Sequence, residues 1–322
     1  MFAVYAASAD ADNPLAAVTV GDRPEPLVPD GWLRVRVKAA SINHHDLWSL
    51  RGVGLAADRL PMILGCDAAG IDDDGNAVVV HAVIASPDWT GEETLDPRRT
   101  LLSELHQGTF ADHVVVPRLN LLPKPPSLSF EQAACLPTAW LTAYKMLFGN
   151  AGVRPGDSIL VQGAGGGVAT AAIVLGRAAG LTVLATSRDE RKRTSAIAAG
   201  AHEAYESGAR LPGRVDAVIE TVGAATWSHS VRCLRPGGTI VIAGATSGDA
   251  PAQAELTRIF FSQLRVVGST MGSRAELAQL LAFCETAGVR PVIDRVLPMT
   301  AAADGLAAVA AGEVFGKVVL TR

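Results

Sequence analysis

Two stretches hold most of the residues able to do chemistry. The first is Asn43-His44-His45-Asp46, with Cys66 further along the chain. An imidazole changes charge near neutral pH, so His44 or His45 can act as a general acid. Neighbouring side chains point apart, so at most one of the two faces a ligand. The Asn43 amide either hydrogen-bonds a substrate carbonyl or a sugar hydroxyl, or is satisfied within the fold. Asp46 reads as a structural hydrogen-bond partner. Cys66 reads as a small buried residue sooner than as a reactive thiol.

The second stretch runs from Asp157 to Ala169 (D-S-I-L-V-Q-G-A-G-G-G-V-A). Ile159 to Val161 form an apolar strand. Gly163 to Gly167 permit a sharp turn and close approach of a ligand. The sequence from Val168 to Ala179 favours a helix. A strand–turn–helix of this kind aims free N–H groups and a positive helix end at a phosphate. A strict G-x-G-x-x-G is absent, and the nearest register is Ala164-x-Gly166-x-x-Ala169. The weight comes from context, because further strands and helices alternate beyond it. Ala164, Gly165, Gly166, Gly167 and Val168 are therefore expected at a pyrophosphate. Val222, Gly223, Ala243 and Gly244 fall just past strand ends, where open α/β sheets hold their ligands.

NAD-binding folds of this type place an acidic residue at the end of the second strand. Here that strand ends in Ser187, with Arg188 next and Lys192 one helical turn on. A hydroxyl with two cations suits a 2′-phosphate, so NADP(H) is the expected cofactor. Asp189 and Glu190 are the residues that could reach a ribose instead.

The elements that must position these groups change in style along the chain. Leu33, Val35 and Val37 alternate with charged residues, the period of a half-buried strand. Short strands with Gly and Pro between them make the first ~120 residues β-rich. Residues 85–109 read as a long polar surface loop. Ser129-x-x-Gln132 is a capping box, and a helix is expected from Thr138 to Phe148 after Pro137. Strands are expected at 158–162, 182–186, 215–219, 239–243 and 264–268, with a short one near 204. Helices are expected at 168–179, 189–199, 226–234, 253–262 and 274–287, and a last strand at 316–320. The fold class is α/β, with a doubly wound parallel sheet.

A chain of 322 residues with 49% hydrophobic residues and a net charge of −4 supports about two domains and a sizeable core. Nothing in it suggests a nucleic-acid or membrane partner. Four scattered cysteines with no C-x-x-C pair argue against a disulfide framework and a local zinc knuckle. No basic leader or long apolar span is seen, so the expected location is cytoplasmic.

The chain resembles the medium-chain dehydrogenase/reductase superfamily. The resemblance rests on V-K-A-A-S-I-N-H-H-D-L (37–47), I-L-G-C-D-A-A-G (63–70), G-T-F-A-D-H-V-V-V-P (108–117), L-V-Q-G-A-G-G-G-V-A (160–169), V-I-E-T-V-G (218–223), L-R-P-G-G-T-I-V-I-A-G (234–244), L-R-V-V-G-S-T-M-G (264–272) and the closing G-K-V-V-L. It implies a GroES-like catalytic domain (1–124 and 270–322) around a Rossmann domain (125–269). It also implies that Asn43, Cys66 and Thr138 stand where zinc-dependent members hold a catalytic metal, so no metal is expected. By the same resemblance His45 takes the place of a proton-relay hydroxyl and Thr142 contacts nicotinamide; Lys317 either reaches cofactor phosphates or ribose or is an exposed lysine at a strand edge. Trp48, Trp140, Phe260 and Phe261 are candidates for an apolar pocket, with core packing the safer reading of each one alone. A homodimer is expected, with Thr239 to Gly244 as a candidate edge.

Without a Lewis acid, reduction of a quinone or a conjugated C=C is easier than alcohol oxidation. The expected function is zinc-independent, NADPH-dependent reduction of such acceptors. The alternatives are a carbonyl reductase or alcohol dehydrogenase of the same superfamily, or a dinucleotide-binding sensor without catalysis.

Overall fold

The strand Trp32–Ser41 is the spine on which the first candidate stretch is hung. Val35 and Val37 are buried, as the alternation requires. It pairs antiparallel with Asp67–Asp72, His113–Pro117 and Lys317–Thr321. The sheet continues through Ala77–Val80 and Leu121–Pro123 on one side and Ile293–Pro298 on the other. The last strand of the chain thus lies against one of the first, with Val319 opposite Ser41.

The computed structural model describes residues 1–322, which divide into two compact units. Met1–Ala139 with Gly272–Arg322 make the first, and Trp140–Met271 the second. The segment from 125 to 139 goes with the first unit because its helix Phe130–Ala134 packs on Trp32–Ser41 and Asp67–Asp72. The capping box at Ser129 and Gln132 is present in both directions.

Residues 85–109 are more than a surface loop. Val83–Ile84 pairs with Thr100–Leu101. The Asp96 carboxylate, fully buried, accepts from Ser86 N and Oγ and from Arg98 N. Leu102 N donates to Ala82 O, and Leu102 is buried. Polar composition misleads here because the polar groups satisfy one another inside the unit.

The second unit carries a six-stranded sheet whose pairings are all parallel. Its order is Glu203–Tyr205, Thr182–Thr186, Ser158–Val161, Val215–Glu220, Leu234–Ile242, Arg265–Gly268. The strand order reverses direction beside Ser158–Val161, the switch point at which such sheets bind ligands. Thr239 to Gly244 is not an edge: Leu234–Ile242 is paired on both sides. The exposed edges belong to Glu203–Tyr205 and Arg265–Gly268.

The expected helix at 138–148 is wound in three pieces. Leu136–Trp140 and Lys145–Ala151 are π-helical, and Leu141–Tyr144 between them is α-helical. Pro137, with no N–H to donate, lies in the first π segment. The four aromatic pocket candidates do not share one environment. Trp140 is fully buried, whereas Phe260 and Phe261 are 67% and 82% exposed on the short helix Leu256–Phe261. No helix is long and apolar enough to cross a membrane.

Candidate functional site

In the first unit the site is built from the end of Trp32–Ser41, the start of the helix His44–Leu50 and the turn at Gly65-Cys66-Asp67. Asn43 caps that helix, and Asp46 Oδ2 accepts from Asn43 N at 2.8 Å. Asp46 Oδ1 accepts from Gly65 N at 3.0 Å, tying the helix to the turn. Burial pushes the Asp46 carboxyl up to about 6, against the pull of His45 and the Asn43 N–H. The structural role expected for Asp46 is the one its contacts describe.

Asn43 is 7% exposed, and its amide is committed at both ends. Nδ2 donates to Asp67 Oδ2 at 2.8 Å, and Oδ1 accepts from Lys317 Nζ at 2.5 Å. Lys317 is 2% exposed, and its ammonium also donates to Ile42 O at 2.8 Å and Asp67 Oδ2 at 3.3 Å. All three of its donors are used. Lys317 is therefore not placed to meet a cofactor phosphate or ribose; it is the buried counter-charge of Asp67. Pairing of the last strand with Trp32–Ser41 brings it there. Asp67 Oδ2 further accepts from Ser41 Oγ at 2.7 Å, while Asp67 Oδ1 is buried with no partner.

His45 lies between two groups, only one of which the sequence singles out. Its Nδ1 is 3.2 Å from Cys66 Sγ, and its Nε2 is 2.8 Å from Glu104 Oε1. Its side chain is 21% exposed and that of Glu104 27%. Burial works against the imidazolium, but it is outweighed by Cys66, by the Glu104 hydrogen bond and by the charge of Asp46, so its pKa is raised well above the usual value. Burial pushes the Cys66 thiol up, and the thiol donates to Leu102 O at 3.2 Å. When the imidazole is protonated, its two N–H groups both have acceptors, Cys66 Sγ and Glu104 Oε1. His44 opens the helix and is exposed. Glu104 escaped sequence reasoning because it sits in the polar 85–109 segment, with no spacing that links it to His45.

Asn43, Cys66 and Thr138 do not make a zinc site. The Asn43 amide bridges Asp67 and Lys317, and the Cys66 thiol is turned to His45 and Leu102. Thr138 Oγ1 is buried without a partner. A lysine ammonium within bonding distance of the would-be first ligand repels a divalent ion, and fewer than three anionic or imidazole donors converge.

In the second unit the glycine-rich turn fits a dinucleotide. Gly166 caps the helix Gly167–Ala178 with no side-chain hydrogen bond, so no side chain competes for its first-turn amides, including those of Gly167 and Val168. Ala164 N donates to Thr186 O at 2.7 Å, holding the turn against the second strand. Gly163 has φ +69°, and a Cβ there would stand 2.5 Å from Val222 Cγ2. Gly165 has φ +134°, and a Cβ there would meet Lys192 Cδ at 2.8 Å and Nζ at 3.1 Å. The lysine named from sequence therefore lies directly over the turn.

Ser187 is 6% exposed, and its Oγ accepts from Asp189 N at 3.2 Å. Arg188 is exposed. Asp189 caps the helix Glu190–Ala198, its Oδ1 accepting from Arg191 N and Lys192 N at 2.8 and 3.4 Å. Val222 N and Gly223 N both donate to Glu220 Oε1, so neither amide is free for a ligand. Ala243 N donates to Glu220 O, and Gly244 passes close to Thr221 O. Thr142 lies in Leu141–Tyr144 and is 7% exposed.

Comparison with known proteins matches both units. Residues 29–126 match the alcohol dehydrogenase GroES-like domain, and residues 167–286 match the zinc-binding dehydrogenase family. A zinc-type alcohol dehydrogenase-like protein of Schizosaccharomyces pombe is 31% identical over 301 residues, 85% of this chain and 86% of that protein. The quinone oxidoreductase of Mus musculus is 27% identical over 288 residues, 84% of this chain and 82% of that protein. A solved NAD-dependent alcohol dehydrogenase superposes with a TM-score of 0.92 at 36% identity, over 100% of both chains. The chain belongs to the medium-chain dehydrogenase/reductase superfamily of oxidoreductases, with a GroES-like domain and a Rossmann-type parallel sheet.

Proposed function

We propose that this member of the superfamily is an NADPH-dependent reductase of quinones or α,β-unsaturated carbonyls that works without a catalytic zinc. The observation that carries the reading is the Asn43–Asp67–Lys317 cluster. Where zinc-dependent members would hold their metal, this chain holds an ammonium in an amide and a carboxylate.

Alcohol oxidation without a Lewis acid lacks a means of stabilising the alkoxide. A conjugated acceptor needs less help, since its own carbonyl spreads the incoming charge. The reduced nicotinamide, when bound, supplies the hydride. The chain must supply a proton, and His45 is its donor. Held protonated by Glu104 and Cys66, it gives up one of those two hydrogen bonds to an oxygen of the reduced acceptor. Glu104, partly open to solvent, then helps return the proton.

The preference for NADPH rests on Arg188 and Lys192, and on the use of Asp189 as a helix cap. A carboxylate already accepting two backbone N–H bonds is a poor partner for a ribose. The mouse quinone oxidoreductase supports the acceptor class. The 36% identity to an NAD-dependent alcohol dehydrogenase favours a second reading, a carbonyl reductase or alcohol dehydrogenase of the same family.

The test is NADPH oxidation against quinones, enones, aldehydes and ketones in the presence of a strong chelator. Turnover on quinones or enones that survives chelation is the expected result. Stoichiometric zinc that is required for turnover sinks the proposal, and turnover confined to aldehydes and ketones favours the second reading.

A further inference from the structure

The second unit has a cavity at the end of its sheet opposite the glycine-rich turn. It has a volume of about 440 Å³ and lies between the loop 208–214 and the last turn of the helix Trp227–Cys233. The loop runs directly into the start of Val215–Glu220, whereas the glycine turn follows the end of Ser158–Val161. In a parallel sheet these are opposite ends.

Three arginines are among the residues that line the cavity, Arg210, Arg214 and Arg232, and no acidic residue is. Arg214 is partly used by the fold. It donates to Arg232 O at 2.8 Å and Leu234 O at 3.1 Å, capping the carbonyls at the helix end. Arg258 does the same, donating to Val231 O and Arg232 O. Arg210 and Arg232 make no side-chain hydrogen bond or ion pair. Like charges gathered without a counter-ion repel one another, and an anion between them removes that cost.

The wall of the cavity is braced from within the core. His229, 6% exposed, accepts at Nδ1 from Gln162 Nε2 at 2.9 Å, so its proton sits on Nε2. That Nε2 donates to Ala209 O at 2.8 Å and holds the loop down. Gln162 also donates to Ser230 Oγ, which in turn donates to Glu220 Oε2 at 2.6 Å. The loop itself leaves room, since a Cβ added at Gly208 or Gly213 would meet nothing within 4 Å.

We propose that this cavity is a second anion site, separate from the cofactor turn, which takes a small phosphate-bearing molecule. Planar guanidinium forks match phosphate oxygens, and the volume suits a small ligand. Because the arginines are solvent-exposed, binding weakens as salt rises.

The test is calorimetric titration of the full chain with inorganic pyrophosphate at low and constant ionic strength. It is run on the wild type, on an Arg210→Ala/Arg232→Ala double variant and on Lys192→Ala. Both arginines are exposed and unbonded, so the double variant should melt with the wild type. The expected result is a saturable site that is weakened at least tenfold in the double variant and unchanged in Lys192→Ala, whether or not the glycine turn takes up a second pyrophosphate. Slower amide exchange in 208–214 should accompany it. Absence of saturable binding overturns the proposal. So does binding that survives in the double variant and is lost in Lys192→Ala, which would place the anion at the glycine turn. None of these outcomes depends on turnover, so the proposed reductase activity can fail without deciding this question.

Discussion

At the scale of single residues, two buried charges decide what the first unit can do. The pKa of His45 is raised because Cys66, Glu104 and Asp46 outweigh burial. Replacing Glu104 by Gln removes the carboxylate that holds Nε2–H, so the His45 pKa should fall. If His45 is the proton donor, kcat falls as pH rises through its folded-state pKa. In Glu104→Gln that limb should move to lower pH, and the imidazole titration followed by NMR should move with it. An unchanged limb beside a shifted imidazole would remove His45 from the proton path. The same raised pKa bears on stability. A raised His pKa adds stability that is complete below the unfolded value and is lost as pH climbs through the folded one. Unfolding by urea should therefore become easier over that alkaline window, and less so in the Gln variant.

Lys317 and Asp67 are the second case. Each is almost wholly buried, and each is the other's counter-charge. Lys317→Met leaves a carboxylate buried without a cation, at a cost of about 3–5 kcal/mol. Adding Asp67→Asn to it should return more than half of that in urea denaturation. If Lys317→Met costs under about 1 kcal/mol, the pair is not the internal charge balance described here.

At the scale of elements, the glycine turn and the two helices beside it set the cofactor. Gly163→Ala puts a Cβ on a left-handed residue, worth about 1–2 kcal/mol, and drives it into Val222. The affinity for the dinucleotide should drop roughly tenfold or more. Gly163→Ala acts on the turn shared by both cofactors, and Lys192→Ala, over the same turn, should weaken both as well, whereas Arg188 acts on the 2′-phosphate. Arg188→Ala should raise the KM for NADPH roughly tenfold and leave that for NADH nearly unchanged. An equal loss for both cofactors would count against the NADPH preference.

At the scale of the whole molecule, the homodimer expected from sequence needs an edge other than Thr239 to Gly244. The edge strand Arg265–Gly268 carries Val266, 44% exposed, and Phe260 and Phe261 stand exposed on the helix just before it. We propose this edge as the dimer contact. Sedimentation at micromolar concentration should give a dimer, and Val266→Glu with Phe261→Asp should give a monomer. A wild-type monomer would retire the idea.

The sequence by itself determined the parallel α/β half almost strand by strand, because its signals are local. A buried apolar strand, glycines where φ is positive and a helix cap are each written in a few neighbouring residues. It also picked out Asn43, Cys66 and Thr138 as the residues on which the expectation of no catalytic zinc rests, since residue types alone carry that expectation. Only the tertiary structure decided what surrounds them. Lys317 reaches Asn43 and Asp67 because the last strand pairs with an early one, and no spacing announces a contact across most of the chain. Glu104 reaches His45 because a polar segment folds inward and satisfies its own charges. The cavity of arginines joins two segments in the same way. Long-range pairing follows from which buried groups can neutralise one another once the sheets are formed, and that is a property of the folded unit and not of any stretch within it.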